Sequence, residues 1–190
     1  MLDKGTGTGQ HTYKERGDDA YFTPTVAVEA LLQVEKLPEK IWEPACGSGN
    51  IVKVLRAHGH TVYASDLHDY GCGQSDVDFL TTDAIPPAQA IVTNPPFKLI
   101  QKFVERALQL SPLTIVLARL AFYESERRSK LLEQSGLRTI HVFRNRLPMM
   151  HRKDWAGPKA SSAIVFAWFC WQKDYTGLTT IDRISWERPP

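Results

Sequence analysis

The sequence lacks the features that mark several large classes of protein. It has three cysteines, Cys46, Cys72 and Cys170, and they form neither a CxxC pair nor a cysteine–histidine spacing typical of metal sites. No apolar stretch approaches the ~20 residues that a membrane-spanning helix needs, and the first residues show no signal-peptide pattern. We therefore expect a cytoplasmic protein with reduced thiols, no bound metal and no membrane partner.

The sequence also lacks an excess of charge of either sign. Lys and Arg number 23 and Asp and Glu number 21, a net charge of +2, so any surface that attracts nucleic acid must be local. The length of 190 residues and the hydrophobic content of 43% suit one globular domain. Residues 1–20 are polar and rich in Gly and Thr, which predicts a flexible tail and leaves residues 21–190 for that domain.

Strand-like and helix-like segments alternate along the domain, which predicts an α/β fold. Strands are expected at 40–43, 61–67, 76–80, 88–94, 113–120, 138–143 and 162–173. Helices are expected at 24–36, 51–60, 98–110 and 124–136, the first with Thr23 as N-cap and Pro24 at its first position. This order predicts a Rossmann-like doubly wound sheet of about seven strands, mostly parallel. The last two strands have no helix between them, so we expect them to form an antiparallel hairpin at one edge.

Candidate ligand-binding residues stand at the strand ends, because ligands bind beyond the carboxyl ends of strands in such sheets. The first strand runs into the turn EPACGSG, whose glycines let the backbone approach a ligand at a helix start. The turn lacks the third glycine of the dinucleotide fingerprint. Asp66 closes the second strand roughly 20 residues later, where a carboxylate can accept hydrogen bonds from both hydroxyls of a ribose. Together the two features favour a cofactor that contains a ribose.

The strand at 88–94 stops abruptly at Asn94-Pro95-Pro96-Phe97. Both prolines fix φ and lack an N–H, so the chain makes a rigid corner here. The Asn94 side-chain oxygen and the Pro95 carbonyl can accept the two N–H bonds of an aromatic amine, which frees the lone pair of its nitrogen for attack. Phe97 offers a flat surface on which a base can stack. The structural alternative is a rigid loop with a buried phenylalanine.

Five segments in this order, YFTP, EPACGSGN, SDL, DFL and TNPPF, resemble the motifs of class I S-adenosylmethionine-dependent methyltransferases. NPPF resembles the signature of enzymes that methylate exocyclic or planar amine nitrogens, above all the N6 amine of adenine. The motif order resembles the gamma group of DNA adenine methyltransferases, in a small stand-alone form such as occurs in phages and prophages. The resemblance runs from about Tyr21 to the strand AWFCW. It implies S-adenosylmethionine as cofactor and nucleic acid, most of all DNA, as partner.

The resemblance also implies roles for individual residues. Asp66 would hold the ribose, Leu67 would pack on the cofactor's adenine, and Asp78 would accept from the adenine amine. For this last role Asp83 is an alternative, as is a plain loop role for Asp78. The residues implied at the cofactor are Tyr21, Phe22, Thr23, Pro24, Glu43, Pro44, Ala45, Gly47, Gly49, Asp66, Leu67, Asp78, Phe79 and Asn94. Those implied in catalysis are Asn94, Pro95, Pro96 and Phe97.

A basic segment at 144–159 joins the last two expected strands and carries five Lys and Arg against one Asp. Basic side chains with an aromatic suit phosphate contacts and stacking, although a solvated hairpin loop is the plainer interpretation. The candidate substrate-binding residues are Phe97, Arg144, Arg146, His151, Arg152, Lys153 and Trp155.

The resemblance leaves the acceptor open. Adenine in RNA and a protein glutamine side chain are the alternatives to DNA. Methylation of cytosine carbon 5 would need a cysteine in the turn after the fourth strand, and none stands there. Restriction-associated adenine methyltransferases usually carry a separate target-recognition domain, for which we expect no room in this chain. The sequence does not indicate an oligomeric state.

Overall fold

The computed structural model describes residues 22–149 and 164–187. Within these ranges the helices are α1 Thr25–Leu32, α2 Asn50–Ala57, α3 Ile100–Leu110 and α4 Ser129–Glu133. The strands are β1 Lys40–Glu43, β2 Thr61–Ala64, β3 Ala90–Thr93, β4 Leu113–Arg119, β5 Leu137–Phe143, β6 Phe166–Gln172 and β7 Thr180–Ile184. None of the helices in the described ranges combines the length and the apolar character that crossing a bilayer requires.

The strands form one sheet in the order β2-β1-β3-β4-β6-β5-β7. Only β6 runs antiparallel to its described neighbours, β4 and β5, and the other pairings are parallel. This confirms the predicted α/β fold with a mostly parallel seven-stranded sheet. The antiparallel pairing of β5 and β6 is confirmed too, but its predicted place at an edge is wrong. β6 lies inside the sheet because six of its seven residues, FAWFCW, are buried and need cover on both faces.

One of the seven expected strands is wrong, and a different one replaces it. Residues 76–80 form no strand, because the Asp78 carboxylate accepts hydrogen bonds from Leu80 N and Thr81 Oγ1 and shapes a turn. Thr180–Ile184 instead forms β7, paired in parallel with β5 at the sheet edge. The first four residues of β7 are exposed, so it has little of the apolar patterning from which a strand is predicted.

Helices cover both faces of the sheet, as the doubly wound arrangement requires. Residues of α1 and α2 share one core with the inward side chains of β1, β3 and β6, while α3 and α4 pack on the opposite face. Two tryptophans of β6 join the layers. Trp168 Nε1 donates to Ala27 O in α1 at 3.0 Å, and Trp171 Nε1 donates to Leu131 O in α4 at 3.2 Å.

The start of α1 differs from its prediction. Pro24 occupies the N-cap position with an extended ψ of 138°, and the helix begins at Thr25. Thr23 lies before the cap and is 5% exposed. Thr23 is therefore available to bind other parts of the chain.

Candidate active site

The glycine-rich turn after β1 is bound to the end of β2. Gly47 and Gly49 have φ of +49° and +81°, the left-handed region that favours glycine. Gly47 N donates to Asp66 Oδ2 at 2.9 Å, and His68 N donates to Asp66 Oδ1 at 3.1 Å. A Cβ on Gly47 would lie 3.5 Å from the ring of Phe22. The turn, Asp66 and Phe22, all predicted to bind a cofactor, therefore lie together at the carboxyl ends of β1 and β2.

Asn94 is held by the segment that precedes α1. Its Nδ2 donates to Thr23 Oγ1 at 3.0 Å, and Asn50 Nδ2 donates to the Thr23 carbonyl at 2.8 Å. Asn50 begins α2, directly after the glycine-rich turn. Thr23 therefore joins the NPPF turn to the start of α2, although its partners lie 71 and 27 residues away in sequence.

Glu43 lies under the strand ends and is fully buried. Its Oε1 accepts from Thr93 Oγ1 at 2.6 Å and from Ala45 N at 3.2 Å, while Oε2 has no hydrogen-bond partner among the described residues. Burial raises the pKa of this carboxyl well above its ordinary value; the bonds from Thr93 and Ala45 offset part of the effect, and the charge of Asp66 adds to it. Burial therefore favours the neutral form of Glu43 relative to that of an exposed glutamate.

The ring of Phe97 already has neighbours. The guanidinium carbon of Arg119 lies 4.4 Å from its centre, and the ring of Phe166 lies 5.9 Å away, tilted by 41°. Arg119 ends β4 and Phe166 begins β6, and the two residues pair across these strands. Pro95 is buried and Pro96 is partly exposed. Phe97 is thus part of a small cluster at the carboxyl ends of β3 and β4 rather than an isolated platform.

The other predicted cofactor residues have different settings. Leu67 follows Asp66 and is 52% exposed, unusual for a large apolar side chain. Asp78 is exposed and shapes its own turn. Phe79 is buried, with its ring 5.1 Å from that of Trp42 and 4.9 Å from that of Phe103. Its side chain therefore packs in the core beneath α3.

The basic segment begins at the carboxyl ends of the parallel strands, where the NPPF turn also lies. Strand β5 runs parallel to β4, since both are antiparallel to β6. Arg144 and Arg146 follow β5 and are exposed. Leu147 is buried in the core against which Phe97 also packs. The remaining predicted cofactor and substrate residues lie outside the described ranges: Tyr21, His151, Arg152, Lys153 and Trp155.

Several residues of this site were not predicted. No role was assigned to Thr93, Asn50 or Arg119. Thr93 donates a hydrogen bond to Glu43, Asn50 donates one to Thr23, and the guanidinium of Arg119 lies over the ring of Phe97. Asn50 and Thr93 each belong to a recognised motif, EPACGSGN and TNPPF, so their position in the sequence was a usable signal. Arg119 had no such signal, because only the pairing of β3 with β4 brings it to Phe97.

Similar proteins were found by structure alone. The sequence matches no family model and no curated protein. Three solved structures share the fold, each with a TM-score of 0.57 and 13–14% identity. They are proteins assigned as a class I S-adenosylmethionine-dependent methyltransferase from Listeria monocytogenes, an RNA methyltransferase from Pyrococcus horikoshii, and a modification subunit of a type I restriction enzyme from Vibrio vulnificus.

These matches cover most of this chain but not always most of the other. They span 86%, 80% and 93% of this chain and 64%, 86% and 49% of the Listeria, Pyrococcus and Vibrio proteins. The chain therefore has about half the length of the Vibrio protein. At this identity the likeness shows the fold alone, which this chain shares with the three proteins.

Proposed function

We propose that this protein transfers a methyl group from S-adenosylmethionine to the N6 amine of adenine in DNA. The observation that carries the proposal is the Asn94 side chain at the end of β3, which is held in place by its hydrogen bond to Thr23. Thr23 lies beside the glycine-rich turn, in which Gly47 N donates to Asp66. The fold shared with S-adenosylmethionine-dependent methyltransferases supports the cofactor, and a DNA-modification subunit among the similar structures supports the substrate class. The choice of adenine N6 rests on the resemblance of NPPF.

The residues at the ends of β1 and β2 fit this cofactor. Each carboxylate oxygen of Asp66 accepts one N–H and keeps a further lone pair for a ribose hydroxyl. The exposed Leu67 beside it offers an apolar surface to the flat face of an adenine. Phe22 and the backbone of Gly47 bound the other side. Bound there, S-adenosylmethionine would supply an electrophilic methyl group.

The NPPF turn fits an amine acceptor. Because Nδ2 of Asn94 donates to Thr23, the amide oxygen is the end that can accept from a substrate amine. The Pro95 carbonyl is the second acceptor, and the two prolines hold both in place, so little reorganisation is needed as the amine reacts. An aromatic amine held by both N–H bonds would present its nitrogen lone pair to the methyl group. The N–C bond would form as the bond from the methyl carbon to sulfur breaks, leaving a neutral thioether, and the amine would lose one proton to solvent. In a duplex, the base must first leave the stack.

The proposal is tested by methyl transfer from isotope-labelled S-adenosylmethionine. Unmethylated double- and single-stranded DNA, RNA and a protein extract are offered separately, and digestion with mass spectrometry locates the label. We expect label on N6 of deoxyadenosine, with a rate at least ~10²-fold lower in Asn94→Ala because one fixed acceptor is lost. Gln134→Ala removes an amide from an exposed position after α4 and should retain the wild-type rate.

Each other outcome revises a different part of the proposal. Label on RNA adenine or on glutamine would keep the chemistry and replace the substrate. Label on DNA that Asn94→Ala does not reduce would remove the NPPF turn from the mechanism. Cofactor binding without transfer to any acceptor would contradict the enzyme proposal, and no binding of S-adenosylmethionine would contradict the cofactor as well.

The partner of the cofactor's adenine amine is proposed to be Asp78 rather than Asp83. Both oxygens of Asp78 are fixed by bonds from Leu80 and Thr81, which makes the carboxylate a rigid acceptor. Asp78→Ala should weaken S-adenosylmethionine binding about tenfold in calorimetry, and Asp83→Ala should leave it unchanged. The reverse pattern would assign the role to Asp83.

A further inference from the structure

Arg119 is the last residue of β4 and lies next to the part of the proposed active site that would hold the substrate. Strands β3 and β4 are parallel neighbours, with Thr93 opposite Val116, so Arg119 lies three residues further along, beside the NPPF turn. On its other side Arg119 pairs with Phe166, the first residue of β6. Arg119 therefore lies between the turn that carries Asn94 and the beginning of β6.

The guanidinium of Arg119 is held over an aromatic ring rather than extended into solvent. Its central carbon lies 4.4 Å from the centre of the Phe97 ring, within the range of a cation–π contact. The side chain is only partly exposed. A base stacked on Phe97 would thus approach a ring against which the positively charged Arg119 guanidinium already lies.

A guanidinium in this position has the chemistry of a phosphate-binding group. It is planar, remains charged at any working pH and offers several N–H donors in a fork that matches two phosphate oxygens. Stacking on Phe97 orders the side chain before substrate arrives, which lowers the entropy cost of the contact. Arg144 and Arg146 are exposed at the same edge of the sheet and extend the positive charge there.

We propose that Arg119, ordered by its contact with Phe97, binds a backbone phosphate of the nucleic acid next to the target nucleotide. The inference rests on the proposed function, since it names a substrate contact of that site. It differs from the roles assigned above because it concerns neither the cofactor nor the reacting amine. Arg119 would fix the position of the backbone while Asn94 and Pro95 hold the base.

The test compares Arg119→Ala, Arg119→Lys and Lys173→Ala with the wild-type protein. Lys173→Ala is the matched control. Lys173 is exposed just after β6, which runs antiparallel to β4, so it lies at the opposite end of the strands from Arg119. Binding of a fluorescent unmethylated DNA duplex is measured by anisotropy at several KCl concentrations. Binding of S-adenosylmethionine is measured by calorimetry, and thermal unfolding reports whether each variant is folded.

We expect Arg119→Ala to bind DNA about tenfold more weakly and to lower the salt slope of binding by about one, the change for one lost phosphate contact. KM for DNA should rise more than kcat falls, and S-adenosylmethionine affinity should stay at the wild-type value. Arg119→Lys should restore the salt slope, since it keeps the charge, but not the full affinity. Lys173→Ala should match the wild type throughout.

Three results would overturn the inference, and each leads to a different conclusion. If the wild-type protein binds DNA and Arg119→Ala matches it in affinity and salt slope, Arg119 is a structural neighbour of Phe97 and the proposed function stands. If the wild-type protein neither binds nor methylates DNA, the proposed DNA substrate falls, and the phosphate contact falls with it. A folded Arg119→Ala protein that loses S-adenosylmethionine binding would place the residue on the cofactor side instead.

Discussion

Two buried glutamates show how the same residue type serves different purposes in this fold. Glu35 follows α1 and is 8% exposed; its Oε2 accepts from Arg138 at 2.6 Å and its Oε1 accepts from His141 at 2.8 Å. Burial alone would raise the pKa of Glu35, but the bonds and charges of His141 and Arg138 hold it below its ordinary value. Glu43 has only a hydroxyl and a backbone N–H, and its pKa lies well above the ordinary value.

The difference separates a cluster of charged partners from a glutamate that lies beneath the proposed cofactor site. Charged partners complete Glu35, which ties the end of α1 to β5, so we assign it to stability. Glu43 lies beneath the turn of the proposed cofactor site and has one oxygen without a partner among the described residues.

The largest effect is expected when Glu35 is removed. Glu35→Ala leaves Arg138 and His141 without their buried partner and should lower the free energy of unfolding by about 3 kcal/mol, measured by urea denaturation at pH 7. Glu29→Ala, within the preceding helix α1, is the control. Glu29 pairs with His58 at 3.2 Å with both side chains nearly half exposed, and its loss should cost less than about 0.5 kcal/mol. Equal effects of the two substitutions would contradict the structural role of Glu35.

A smaller effect is expected at Thr93. Thr93→Val keeps the shape of the side chain but removes the hydroxyl that donates to Glu43, so unfolding should become easier by about 1 kcal/mol. Thr114→Val is the matched change in the neighbouring strand β4, where the buried hydroxyl has no hydrogen-bond partner among the described residues. That substitution should be neutral or slightly stabilising. A Thr93→Val protein as stable as the wild type would show that the short bond to Glu43 contributes nothing.

The smallest effect is a difference in pH dependence with opposite signs. The lowered pKa of Glu35 contributes stability that is present above the unfolded value near 4.5 and is lost as pH falls through the folded pKa. The raised pKa of Glu43 contributes stability that is present below that value and is lost as pH rises toward the folded pKa.

Glutamine variants isolate these two contributions. The stability advantage of the wild type over Glu35→Gln should shrink as the solution is acidified below about pH 4.5, and that over Glu43→Gln should shrink as pH rises above it. Unfolding is followed by urea denaturation across the pH range. Parallel curves for the two variants would refute the contrast.

Much of this fold could be predicted from the sequence, because its signals are local. Buried strands, helix patterning and the glycines at turns set β1 to β6 and α1 to α3 within a few residues, whereas α4 (Ser129–Glu133) is much shorter than the expected helix at 124–136. The two strand errors have different causes: in one the deciding contact is distant in sequence, and in the other it is a local side-chain hydrogen bond. Strand β7 is defined by its pairing with β5 rather than by apolar patterning. The predicted strand at 76–80 was lost because Asp78 bonds its own turn.

The site divides in the same way. The motifs around Gly47, Asp66 and Asn94 were recognised from local sequence, and the structure brings them to one edge of the sheet. The cluster of Glu35, Arg138 and His141 joins residues 103 and 106 positions apart, so no spacing rule points to it. Arg119 became visible only once β3 and β4 were known to be neighbours.

The reversed strand β6 has a consequence for the order in which the chain can fold. Strand β5 pairs with β6 and β7, and both follow it in the sequence. During synthesis β5 must therefore wait without a partner while β1 to β4 can already assemble. A chain stopped before Phe166 would leave an edge of β4 and the whole of β5 open, and such edges pair readily with those of other chains. We expect truncated forms of this protein to aggregate.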